Sequence, residues 1–115
     1  MLLDECVPQR LRHALTDHAV QTVPQMGWAS KKNGELLRLA EGEFDALVTT
    51  DQRLSFQQSV ASFAIAVIVL VAHRNKIEFL LPLIPELERA LGEVQPGEVR
   101  RSPASRHVRQ VLIGS

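Results

Sequence analysis

Two aspartates stand where a strand that only fills a core would have no use for a charge. Asp51 closes the stretch DALVTTDQ, after the apolar run Ala46-Leu47-Val48 and two threonines. Asp4 closes Leu2-Leu3 in the opening MLLDECVP. In an open parallel sheet, ligands collect outside the carboxyl ends of the strands, near a reversal of strand order. If these two runs are neighbouring strands, their carboxylates face one crevice. Two unpaired acids brought together repel, and desolvation adds to the cost. A divalent cation relieves that repulsion, and hard oxygen ligands suit Mg2+ or Mn2+. Removing one acid from a metal-free site would then raise the melting temperature. Zinc is not favoured, because the chain has one cysteine and its four histidines are scattered. A lone aspartate after a strand also serves as a turn former or helix cap. The pair carries the metal reading; neither residue does so alone.

Other residues could complete such a site. Glu35 is the natural third acid, although a carboxylate in a helix's first turn also favours the helix dipole. Glu5 ranks lower, since a continued strand pleat would turn it away from Asp4. Asp45 precedes its strand, belongs to the opposite end of the sheet and is excluded. Lys31, Lys32, Arg53 and Arg74 fall in loops that could rim the crevice and hold phosphates without reading sequence. Each is equally read as a solvated surface cation. Thr49 or Thr50 could place a water or phosphate, or simply reflect β-propensity. Trp28 could stack on a base; anchoring its loop on the sheet is the slightly preferred role. Gln57 and Gln58 could line the groove, and His73 could reach a phosphate.

The elements that must position these groups alternate along the chain. Residues 1–4 read as a short buried strand, and Pro8 suits the first turn of a helix whose apolar face carries Leu11 and Leu15. Val20–Val23 is a second strand. Asn33 is a plausible N-cap for a helix reaching Glu41, with Leu36, Leu37 and Ala40 on one face. Asp45–Thr50 is the third strand. Ile65–Val71 (IAVIVLV) is β-branched and continuous, as in a strand covered on both faces. A helical region over 76–91 places Leu80, Ile84, Leu87 and Leu91 on one face, with Pro82 and Pro85 splitting or restarting it. The turn QPGEV leads to a last strand around 98–101. Strands alternating with helices imply a parallel sheet with helices on its faces.

Composition sets the frame. With 115 residues, 45% hydrophobic and 23% charged, the chain fits one folded domain over residues 1–101. Residues 102–115 form a basic tail with Arg106, His107 and Arg109, suited to flexibility or to docking a partner. The single Cys6 cannot pair internally, in keeping with a reducing cytoplasm. The longest apolar stretch, 63–72, is about half a membrane span, so no membrane partner is expected. A formal net charge of zero argues weakly against a nucleic-acid binder.

Several pieces together resemble the PIN-like domain family of short prokaryotic proteins, VapC-like toxin components of toxin–antitoxin systems. They are LLDECVP, MGWASKKNGELLRLA, FDALVTTDQRLSFQQ, IAVIVLVAHRNKIEFLLPLIPEL and PGEV, in that order. The resemblance implies an α/β three-layer sandwich around a central, mostly parallel sheet of four to five strands. It also implies a Mg2+- or Mn2+-dependent endoribonuclease acting on single-stranded RNA. Matched by position, Asp4, Glu35 and Asp51 would be the catalytic acids and metal ligands. Asn33 stands where many relatives have aspartate and could offer a carbonyl oxygen; Glu5 is the other auxiliary ligand. An antitoxin protein covering the groove, or a second copy forming a homodimer, would be the protein partner. Asn33 and the lack of a fourth acid leave a catalytically silent RNA- or protein-binding module as the alternative. A phospho-accepting receiver domain shares the acids after strands one and three. It would want a Ser/Thr after strand four and a lysine after the last strand, where this chain has Ala72-His73 and Arg100-Arg101.

Overall fold

A computed structural model describes residues 1–53 and 60–102. Its five strands are β1 (Leu2–Leu3), β2 (Gln21–Thr22), β3 (Ala46–Thr49), β4 (Ala66–Leu70) and β5 (Val99–Ser102). They form one sheet in the order β2-β1-β3-β4-β5, with every pairing parallel. The sheet is thus wholly parallel and has five strands. Among the described residues, three α-helices accompany it: α1 (Asn33–Ala40), α2 (Ile77–Leu80) and α3 (Ile84–Leu91). Short 3-10 turns cover Gln9–Ala14, Val60–Ser62 and Leu81–Leu83.

The register explains why both faces are covered. Leu2, Leu47, Val67 and Val99 lie in one lateral row across four strands. They share a core with α1 through Leu36, Leu37 and Ala40. Leu3, Val48 and Ile68 form the next row. They pack on the opposite face with Leu11 and Leu15, and with Leu80, Leu87 and Ala90 of α2 and α3. Side chains alternate across a strand, so a strand buried on both faces must be apolar at every position. All five β4 residues, Ala66 to Leu70, are buried accordingly. Each fully buried Val, Leu or Ile contributes roughly 1.5 to 3 kcal/mol. β3 carries the same continuous burial, and its last residue is Thr49.

Several boundaries differ from expectation for local reasons. Residues 9–14 form a 3-10 helix, with Pro8 as the flanking cap residue. That tighter helix still buries Leu11. α1 begins at Asn33, so Lys32 is its N-cap residue and Asn33 is not. The region 76–91 is split as its prolines require: Pro82 falls in the 3-10 turn and Pro85 in the first turn of α3, where a missing N–H costs nothing. β5 extends to Ser102, which is buried and belongs to the sheet. Phe56, Gln57, Gln58 and the tail residues Arg106, His107 and Arg109 lie outside the described residues. Among the described residues, no helix is long and apolar enough to cross a membrane.

Candidate functional site at the tips of β1 and β3

The strand order fixes the site. After β1 the chain passes to β2 on one side, then returns to β3 on the other side of β1. The reversal lies between β1 and β3, and doubly wound sheets bind ligands outside the carboxyl ends at such a point. Asp4 is the first residue beyond β1. Its backbone N–H still bonds the Val48 carbonyl at 2.9 Å, which seats it beside the end of β3.

One buried hydroxyl joins the two tips. Thr49, fully buried, donates from Oγ1 to Asp4 Oδ2 at 2.8 Å. The same oxygen accepts the Asp51 backbone N–H at 3.0 Å. Cys6 Sγ lies 3.3 Å from it. The Thr50 hydroxyl donates to Cys6 Sγ at 3.1 Å. The Cys6 thiol also faces Asp4 Oδ2 at 3.8 Å, so its proton has two acceptors within reach, that carboxylate and Thr49 Oγ1. Thr50, Cys6 and Thr49 thus form one network that converges on the Asp4 carboxylate. Asp4, only 8% exposed, also takes the Glu5 backbone N–H on Oδ1 at 2.8 Å. A buried carboxylate needs such donors, since leaving it unpaired would cost several kcal/mol.

Asp51 is held differently. Its Oδ1 accepts the Arg53 backbone N–H at 2.9 Å, and Arg53 Nε stands 3.5 Å from the same oxygen. It therefore combines a local turn with an ion pair. Each carboxylate has a donor set of its own, which corrects the picture of two unpaired acids repelling across a gap. The expected gain in melting temperature on removing one acid loses its basis, because these donors would lose their acceptor.

The remaining candidates divide between tip and flank. Glu5 Oε1 accepts the Ser30 backbone N–H at 2.8 Å. Glu35 lies in the first turn of α1, its side chain 56% exposed and 3.6 Å from Lys31 Nζ. Asn33 opens the same helix. His73 and Arg74 are exposed beyond β4, and the His73 ring lies 5.9 Å from that of Phe79. Trp28 is half-buried with its edge to Phe44, ring centroids 6.3 Å apart, and packs on the α1-side core. That placement supports its role as a loop anchor. Asp45 lies at the far end of the sheet, in the wall of a cavity of about 520 Å3 shared with Met1, His18 and Glu88.

Two residues of the tip escaped sequence reasoning. Cys6, which as a lone cysteine signals only the absence of an internal disulfide, stands two positions past Asp4 and joins the hydroxyl network. Asn75, in the loop after β4, donates from Nδ2 to the Cys6 carbonyl at 2.7 Å and ties that loop to the β1 tip. The spacing from Asp4 could have pointed to Cys6; no local signal marks Asn75. Arg101 adds a cation near the tip of β3, bonding Gln52 Oε1 at 3.1 Å.

Among the described residues, no three His, Cys, Asp or Glu side chains converge on one point suited to a metal ion. The site's oxygen donors are the Asp4 and Asp51 carboxylates, with the Thr49 and Thr50 hydroxyls beside them. No family model, curated protein or solved structure matches this chain.

Proposed function

We propose that the β1/β3 tip is the active centre of a metal-dependent endoribonuclease of PIN-like type, acting on single-stranded RNA. The observation that carries this reading is the Thr49 hydroxyl, which links Asp4 to the Asp51 backbone at the reversal of strand order. The donor set suits Mg2+ or Mn2+, which are held by one or two carboxylates and otherwise keep water or phosphate oxygens. A carboxylate has about four lone-pair positions. Asp4 Oδ2 faces the Thr49 hydroxyl and, at 3.8 Å, the Cys6 thiol, whereas Oδ1 takes only the Glu5 N–H and keeps room for a ligand. Asp4 and Asp51 would hold the ion, with Glu35 or Asn33 as outer members. When bound, such an ion supplies Lewis-acid polarisation of a phosphoryl oxygen and a more acidic water. Lys31, Lys32, Arg53 and Arg74 would bind the RNA backbone, and Arg53 would have to exchange its hold on Asp51 for a phosphate. A toxin-type role, with an antitoxin protein or a second copy as partner, follows from the sequence resemblance.

Two observations favour other readings. Glu35 is paired with Lys31 and Asp51 with Arg53, as in a silent RNA- or protein-binding module. The strand order 2-1-3-4-5 is that of flavodoxin-like folds, receiver domains included. One set of assays separates the three. Wild-type protein with Mn2+ should cleave single-stranded RNA, and Asp4→Asn and Asp51→Asn should each abolish cleavage while remaining folded. A wild type that binds RNA without cutting it supports the silent module. Acid-labile phosphate on Asp51 after treatment with a small phosphodonor supports the receiver.

A further inference from the structure

The segment between β2 and α1 contains a strained residue. Ser30 has φ +72°, and Gly27 has φ +78°. Glycine takes the left-handed region freely, whereas a residue with a Cβ persists there only where its surroundings hold it. Most hydrogen bonds described for the segment are local. Gly27 N–H bonds the Pro24 carbonyl, Trp28 N–H the Val23 carbonyl, and Lys31 N–H the Trp28 carbonyl. The Glu5 carboxylate reaches across 25 positions of sequence to take the Ser30 N–H. Glu5 directly follows Asp4, and Ser30 directly precedes Lys31, Lys32 and the start of α1.

We propose that Glu5 is a positioning residue: it clasps the Ser30 backbone and sets where Lys31, Lys32 and Glu35 stand relative to Asp4. It does not ligate the metal. This rests on the nuclease reading for its consequence, and on the loop geometry alone for its cause. A carboxylate bonded to a backbone N–H is a charge-assisted contact. It supplies the external hold that a left-handed Ser30 requires. Losing it lets Ser30 relax to negative φ, which must shift the residues on either side.

The test uses the full chain and its single tryptophan, Trp28, two residues before Ser30. Glu5→Ala should red-shift Trp28 emission and speed tryptic cleavage after Lys31 and Lys32. Glu5→Gln keeps an acceptor oxygen at the same reach, so it should restore the wild-type emission and cleavage rate. In a Mn2+ titration, Glu5→Ala should weaken binding by roughly tenfold, the usual effect of losing an outer support, and Glu5→Gln should stay near wild type. If Glu5 is a ligand, Gln and Ala should weaken Mn2+ binding alike, and the proposal falls. It also falls if Glu5→Ala leaves both emission and proteolysis unchanged. If wild type binds no Mn2+ while the emission and cleavage pattern holds, the metal reading fails and the clasp stands.

Discussion

Replacing Thr49 by valine removes one oxygen and keeps the shape. The magnitude follows from what that oxygen does. It donates to a nearly buried carboxylate at 2.8 Å and accepts a backbone N–H at 3.0 Å. A hydrogen bond to a charged group contributes about 1.5 to 3 kcal/mol, and an N–H left unpaired costs about 1 kcal/mol more. The extra buried methyl group returns up to about 1 kcal/mol. The net loss is about 2 to 3 kcal/mol. Unfolding entropy near 2.1 cal/mol/K per residue gives about 0.24 kcal/mol/K for 115 residues. Thr49→Val should therefore melt roughly 10 °C below wild type. Thr49→Ser keeps the hydroxyl and loses a methyl group, at about 1 kcal/mol or roughly 4 °C. Differential scanning calorimetry at neutral pH, supported by urea unfolding, measures both. Equal melting of the valine and serine variants, or a valine variant as stable as wild type, would refute the claim that Thr49 organises the two tips.

Two further perturbations probe parts of the fold away from that hydroxyl. Ser30→Gly should stabilise the protein by roughly 0.5 to 1 kcal/mol, since relief of the left-handed penalty exceeds the entropy cost of glycine; urea unfolding beside a Ser30→Ala control, expected to show no gain, checks it. At the edge of the sheet, the Gln95 N–H and then Arg100 hold the Glu98 carboxyl below its ordinary value of 4.5. A depressed carboxyl adds stability above its unfolded pKa and loses it as pH falls through the folded value. Thermal melts from pH 6 downward should therefore show a shallower acid decline in Glu98→Gln than in wild type, with a parallel decline counting against the linkage.

The α/β class was legible because β4 is apolar at every position and β3 at all but its last, Thr49, and only a strand covered on both faces needs that. The adjacency of the β1 and β3 tips was legible more indirectly, through two acids placed after two such runs. Side-chain partners were not. Whether Asp51 stands free or takes up Arg53 depends on a two-residue turn, and Glu35 meets Lys31 through helical spacing that serves ligand and ion pair equally. The role of Glu5 was hidden for a different reason. Its partner is a backbone N–H far along the chain, and a backbone donor leaves no mark on residue type. The 3-10 geometry of 9–14 was missed because Leu11 is buried by either helical form.

Under the proposed function, Asp4 and Asp51 together present oxygen ligands to one hard cation. A calorimetric Mn2+ titration of wild type beside Asp4→Asn and Asp51→Asn tests it without needing a substrate. Saturable binding at a single class of site in wild type, weakened by roughly tenfold or more in each variant, is the predicted result. Wild type showing no saturable uptake, or both variants binding as tightly as wild type, would contradict it.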